Sequence, residues 1–129
     1  MLNLSHKQLE VYKIATQLVK EIYALTKLYP KEEQFTLVAQ LRRASISVCS
    51  NLAEGAARKS SKEKKRFYEI ARAPVVEIDT QIEISLMLGY TNKEQIAGVE
   101  KCHESVFKML SKMIGNIESK THLPNPTSH

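Results

Sequence analysis

The 129-residue chain has no tryptophan, only four glycines and four prolines, and two cysteines. Each shortage excludes something. Cys49 and Cys102 lie far apart and form no close ligand pair, so they read as reduced cytosolic thiols rather than a metal knuckle or a disulfide framework. No stretch reaches the roughly 18 uncharged apolar residues of a membrane span. The opening residues Met1-Leu2-Asn3-Leu4-Ser5-His6-Lys7 lack the apolar core of a secretory signal, so a cytoplasmic location is expected. There is no Gly-x-Ser-x-Gly and no strand–turn–helix setting for any serine, which removes the usual nucleophile elbow. Neither a phosphate loop nor a glycine-rich dinucleotide fingerprint is present.

What remains is dominated by Leu, Ile, Lys, Glu and Ala, the chemistry of helix formers. The length suits one domain that buries well over half its unfolded surface without a metal or disulfide. Four helices are expected, over 5–28, 31–57, 61–88 and 91–120. In the first, Val11, Ala15, Leu18, Ile22, Leu25 and Tyr29 alternate at four and three, giving one apolar stripe. Ser5 with Gln8 forms a capping box for it, and Tyr29-Pro30 stops it. Pro30, Glu32 and Glu33 suit the start of the second helix. Its stripe is Leu37, Leu41, Ala44, Val48, Leu52 and Ala56. Ser60 with Glu63 caps the third helix, whose shared face is Phe67, Ala71, Pro74, Ile78 and Ile82. Gly89 ends it. Thr91 with Glu94 caps the fourth, with Val99, His103, Val106, Leu110, Met113 and Ile117 on one face.

The joints are so short that sequential helices must run antiparallel. The fold class read from this pattern is all-α: an up-down-up-down four-helix bundle over 1–120. A tail over 121–129, with Pro124 and Pro126 and no apolar period, is expected to be disordered. Pro74 inside the third helix removes a backbone donor and crowds the carbonyl of Ile70, so a bend is expected there.

Three features carry chemistry. Glu100-Lys101-Cys102-His103 has the Glu-x-x-His spacing of di-iron bundles, but such sites need two of these motifs and two further glutamates. One motif alone reads as a satisfied core histidine, and no metal or cofactor is expected. Glu77, Asp79 and Glu83 fall off the apolar face and read as solvated. On the second helix, Arg43, Ser47, Asn51, Glu54 and Arg58 stand at spacings that bring neighbours into contact. That stripe reads either as a salt-bridged solvent face or as a subunit interface or ligand-facing groove, the interface carried by Arg43, Ser47, Asn51 and Glu54. The third feature is charge. Of the net +5, +6 falls between Arg42 and Arg72. The run Arg58-Lys59-Ser60-Ser61-Lys62-Glu63-Lys64-Lys65-Arg66 surrounds one joint, and reads either as a solvated end or as a phosphate-contacting surface.

The block Gln40-Leu41-Arg42-Arg43-Ala44-Ser45-Ile46-Ser47, followed by Asn51-Leu52-Ala53-Glu54-Gly55, resembles the signature of a bacterial four-helix-bundle family. Its members are encoded in intervening sequences of 23S ribosomal RNA genes and elsewhere, and are often labelled ribosomal-protein-like. The resemblance extends through Leu9 to Tyr12, Tyr29-Pro30 with Glu33, Phe67 to Ala71, and Leu88-Gly89-Tyr90. It departs after Ile70-Ala71-Arg72, where the family usually has Gly-Ser and this chain has Ala73-Pro74. The resemblance implies a four-helix bundle assembled into a homopentameric ring. It also implies kinship with the accessory variability determinant proteins of diversity-generating retroelements, which bind nucleic acid and a reverse transcriptase. The expectation is thus a non-enzymatic, oligomeric protein binding RNA or DNA through Arg42, Arg43, Arg58, Lys59, Lys62, Lys64, Lys65 and Arg66. The alternative is a protein–protein scaffold or adaptor. A metal-dependent bundle enzyme is a remote third class.

Overall fold

Val11, Ala15, Leu18, Ile22 and Leu25 recur along one face of a first helix, α1 (Glu10–Thr26), and all are buried. The same logic builds α2 (Leu37–Ala57), α3 (Ser61–Met87) and α4 (Ala97–Thr121). This computed structural model describes residues 1–121. Among them there are four α-helices, two short 3-10 turns and no strand. Each helix packs against its neighbours in sequence, and α4 closes on α1. Gln81 of α3 reaches Gln40 of α2, while Lys64 reaches Ala56. Residue numbers therefore rise along α3 as they fall along α2. Contacts of His103 with Val75 and Arg72 with Ser111 show the same opposition between α3 and α4. The expected all-α four-helix bundle is the fold; the expected tail lies, beyond Thr121, outside the described residues.

The core falls into two clusters. One gathers Leu18, Ile22, Leu41, Ile78 and Val99 toward the end that holds the α1–α2 and α3–α4 joints. The other gathers Val11, Val48, Leu52, Tyr68, Val75 and Leu110 toward the α2–α3 joint.

The joints correct several expectations. Ser5 and Gln8 form no capping box: 3-10 turn Ser5–Gln8 precedes α1, which starts at Glu10 with no side-chain cap. His6 is buried there with its ring edge-on to Tyr12 at 4.7 Å. That burial, rather than a cap, fixes how the chain enters α1. The second helix starts at Leu37, not at Lys31. Lys31–Glu33 is a 3-10 turn, and Thr36 at φ −116°, ψ −99° lies outside the helical region. The Glu33 carboxylate holds this joint, accepting from the Thr36 hydroxyl at 2.6 Å and the Tyr90 hydroxyl at 3.0 Å. Thr91 does not cap α4. The Asn92 side chain accepts from the Gln95 amide at 2.9 Å, and α4 starts at Ala97. Two signals hold as read. Ser60 accepts from the Glu63 amide at 3.1 Å. Gly89, at φ 76°, closes α3 in the left-handed region, with the Tyr90 amide returning to the Ser85 carbonyl.

Within the elements, Pro74 is buried in a helix that continues through it. Tyr68, not Phe67, is the aromatic residue that α3 gives to the core. The reason is Gly55: a Cβ built there would lie 2.6 Å from the Tyr68 ring. The missing side chain is what lets that ring lie between α2 and α3. Ile96 is buried just before α4, and on α4 the buried positions are Val99, Val106, Leu110 and Ile114, leaving His103, Met113 and Ile117 at the rim.

Two outcomes follow. Gly55→Ala forces a packed ring aside and should cost about 1–3 kcal/mol, a fall in Tm of roughly 3–10 °C. Gly98→Ala meets only the end of the Glu21 side chain, which can swing away, and should leave Tm nearly unchanged. Thermal denaturation followed by circular dichroism compares the two. The second concerns Glu33, whose hydroxyl partners Thr36 and Tyr90 hold its carboxyl below the usual glutamate value. A carboxyl depressed in the folded state stabilises above the unfolded value of about 4.3 and loses that contribution as pH falls through the folded value. Wild type should therefore melt above Glu33→Gln at neutral pH, and the gap should close on acidification below about pH 4.

Candidate nucleic-acid interface

Helix α2 ends at Ala57, and Arg58, at φ −76°, ψ 147°, turns the chain into extended backbone before Ser60 starts α3. The last carbonyls of a helix have no partner within it. Lys64 supplies one, donating from Nζ to the Ala56 carbonyl at 3.0 Å. This lysine therefore helps to lock the joint. Arg58 donates to the Glu54 carboxylate at 2.8 Å, and its guanidinium lies 4.6 Å from the centre of the Phe67 ring. Arg66 approaches the same ring at 5.4 Å and pairs with Glu63 at 3.5 Å. Both ion pairs are exposed, so each adds little to stability. Their effect is to hold two guanidinium groups about one aromatic ring. Lys59, Lys62 and Lys65 have no ion pair among the described residues.

Of the eight cations expected to act together, six fall at or just after the α2–α3 joint, and two of those, Arg58 and Arg66, share the Phe67 ring. Arg42 and Arg43 stand apart: Arg42 lies sixteen residues before Arg58, about 24 Å along the helix at roughly 1.5 Å per residue. Arg42 also has other work. Its Nε donates to the Thr26 hydroxyl at 3.0 Å and its guanidinium lies 4.4 Å from the centre of the Tyr23 ring, bracing α1 against α2. Arg72 likewise reaches Ser111 on α4 at 3.4 Å.

Within one subunit the polar stripe is already partly paired. Asn51 donates to the Ser47 carbonyl at 2.9 Å and to its hydroxyl at 3.1 Å, while Glu54 is held by Arg58. Arg43 is exposed and lines a groove of about 520 Å³ between α2 and α3 with Gln40, Ser47, Pro74, Glu77 and Gln81. The Gln81 Oε1 atom is buried without a hydrogen-bond partner among the described residues.

Other reactive groups are placed structurally. Burial pushes the Cys49 thiol up to about 11, and burial with the Glu21 charge pushes Cys102 up. Since the thiolate is the nucleophile, neither is activated at neutral pH. His103 lies half-buried with Nε2 2.7 Å from the Val75 carbonyl, the satisfied histidine expected, at the rim of the core. Glu77, Asp79 and Glu83 are exposed. Among the described residues, no three His, Cys, Asp or Glu side chains are grouped to hold a metal, and no helix is long and apolar enough to cross a membrane. Sequence reasoning missed the two-arginine arrangement on Phe67. Its signal was an aromatic residue directly after Arg66 and nine after Arg58, across a joint.

The comparisons with known proteins agree with the fold. The family model for the 23S rRNA-intervening sequence protein matches residues 7–112. Among solved structures, the chain is similar to a protein of unknown function from the S23 ribosomal protein family of Bacteroides thetaiotaomicron VPI-5482. The TM-score is 0.74 at 21% identity, over 81% of this chain and 95% of that one. At that identity the likeness is one of fold. No curated protein matches the chain. With the family model spanning all but the two ends, the chain belongs to the 23S rRNA-intervening sequence protein family.

Proposed function

We propose that this protein is a non-enzymatic, oligomeric accessory protein that binds RNA or DNA by its phosphates at the α2–α3 end. One observation carries the reading. Among the described residues Lys59, Lys62 and Lys65 stand without ionic partners beside Arg58 and Arg66, whose guanidinium groups are held about Phe67. Three unpaired lysines beside two arginines whose ion pairs are exposed attract a polyanion, and phosphates carry no base information, so discrimination between sequences is small. Arg42 and Arg43, part of the surface expected from sequence, take no part in it. A closed ring of subunits would present the patch several times over and raise avidity without new contacts.

The groove between α2 and α3 supports assembly. Exposed Arg43 and Glu77 face it, together with the Gln40 and Gln81 amides and the apolar Ile70 and Pro74. A neighbouring subunit seated there would give the orphan Gln81 oxygen a donor, as buried polar groups require. Ser47, Asn51 and Glu54 lie along the same helix, so the interface extends down the polar stripe. The pentameric ring and a reverse-transcriptase partner belong to this proposal through the family kinship.

The scaffold reading has its own observation. Phe35 is 86% exposed and Met87 76% exposed, with Leu28 and Leu88 also outward, all at the joints opposite the basic end. An apolar end of this kind suits a protein partner.

Changing Arg58, Lys59, Lys62 and Lys65 together to Gln separates the two readings. If about four phosphate contacts form, wild-type affinity should drop on the order of a hundredfold between 50 and 200 mM salt. The variant should bind RNA and DNA more weakly and with a shallower salt slope. Unchanged affinity and slope would favour the scaffold. Light scattering at micromolar concentration should find an oligomer, and Arg43→Glu should shift it toward monomer; a wild-type monomer would overturn the assembly.

A further inference from the structure

Two cavities lie under the N-terminal turn, at the same end as the cationic patch. One, of about 280 Å³, is lined by Leu4, Ser5, His6 and the run of small residues Ala53, Ala56 and Ala57. The other, of about 210 Å³, is lined by Ser5, His6, Leu9, Ala56, Lys64 and Tyr68. They share Ser5, His6 and Ala56, so they adjoin. Each falls a little below the size of a small-ligand pocket, roughly 300 Å³ and upward, and together they reach it.

The space exists because side chains are small or absent. Alanine at 53, 56 and 57 leaves α2 bare where the N-terminal turn crosses it. Gly55 lets the Tyr68 ring lie against α2, which sets the position of one wall.

The polar groups on these walls are unused. His6 is 8% exposed and its imidazole makes no hydrogen bond among the described residues; its ring touches Tyr12. Tyr68 is 6% exposed, and its hydroxyl has no hydrogen bond among the described residues. These polar atoms are not sealed from water, so a ligand that covers them must supply the partners that water gives. Lys64 gives one proton to the Ala56 carbonyl and has others to offer. Imidazole and phenol can each donate or accept, so this wall presents hydrogen-bonding groups of both senses.

A ligand for such a space has apolar faces and a polar edge. An alkyl chain would leave His6 and Tyr68 unpaired. A bare phosphate would leave the alanine wall uncovered. From this complementarity we infer that the cavity beneath the N-terminal turn takes one unpaired nucleobase, with its faces against Ala53, Ala56 and Leu9 and its edge on His6, Tyr68 and Lys64. This rests on the reading of the adjoining patch as a phosphate surface, since Arg58 and Lys59 then hold the backbone on either side of the base. A base inside a duplex is stacked and paired, and drawing it out costs free energy. The protein therefore selects single-stranded stretches or looped-out nucleotides over perfect duplex.

The test uses the full chain. In an NMR titration, nucleoside monophosphates at millimolar concentration should move the His6 and Tyr68 ring signals, and inorganic phosphate should not. Unpaired RNA and DNA should bind tenfold to a hundredfold more tightly than duplexes of equal length. Ala56→Leu, which fills the cavity, should abolish that preference while keeping the duplex affinity and its salt slope. Ala53→Leu provides a second filling variant if the first misfolds. Unmoved His6 and Tyr68 signals overturn the base site, as does equal wild-type affinity for paired and unpaired strands, even if polyanion binding stands. Ring signals that respond to mononucleotides while no polymer binds would keep the base site and reject the phosphate surface.

Discussion

At Gly55 the backbone of α2 and the ring of Tyr68 come so close that no side chain fits between them. The remainder of the α2–α3 end depends on that contact. With the helices this near, Lys64 can reach the last turn of α2 and close its Ala56 carbonyl. Phe67, the residue before Tyr68, stays half-buried at the surface, where Arg58 and Arg66 gather on it. The cationic patch is thus a by-product of packing. One aromatic residue goes inward because a glycine admits it, and the adjacent aromatic residue turns outward and collects the arginines. Charge alone would scatter these side chains; the ring holds two of them in place at a contribution of about 0.5–1 kcal/mol for each exposed cation–π contact.

The helical frame was legible because its signal is redundant. Five apolar positions on α1 and Tyr29 just beyond it repeat the same statement, and every one of them is buried. The end of α3 was legible for a different reason: only glycine accepts φ 76° without strain, so Gly89 marks its site unambiguously. The helix starts were harder. Ser5 and Thr91 look like caps, but a cap is a local bond worth about 1 kcal/mol. At Ser5 the burial of His6 competes with it, and at Thr91 the neighbouring Asn92 side chain takes the role. Lys31 has the local signals of a helix start, but Glu33 is tied to Tyr90, a residue fifty-seven positions away that no local pattern announces.

The site was legible as a sum of charge and illegible as an arrangement. Adjacent arginines at 42 and 43 read as one cationic element with Arg58 and the lysines after it. Helix geometry separates them, since the residues between occupy more than four turns. Arg42 is further withdrawn by the Thr26 hydroxyl and the Tyr23 ring, both from another helix. The cavity under the N-terminal turn left no trace in the sequence, because what defines it is the absence of side-chain volume on α2 together with His6 and Tyr68 brought in from either side. Composition counts atoms that are present; it has no symbol for room.

The division of the core into two clusters gives the molecule two halves that need not loosen together. The half around Val48, Leu52, Tyr68 and Leu110 borders the cationic end. The half around Ile22, Leu41, Ile78 and Val99 borders the joint pinned by Glu33 and Tyr90. Proteins open in cooperative units of this size, each with its own opening free energy. A molecule bound at the cationic end shares contacts with one unit and only the helix shafts of the other. Its mass action therefore slows the opening of the near half selectively. Backbone amides of α2 near Leu52 then act as a gauge of occupancy, and those near Leu41 on the same helix as an internal standard, so one helix carries both the signal and its reference.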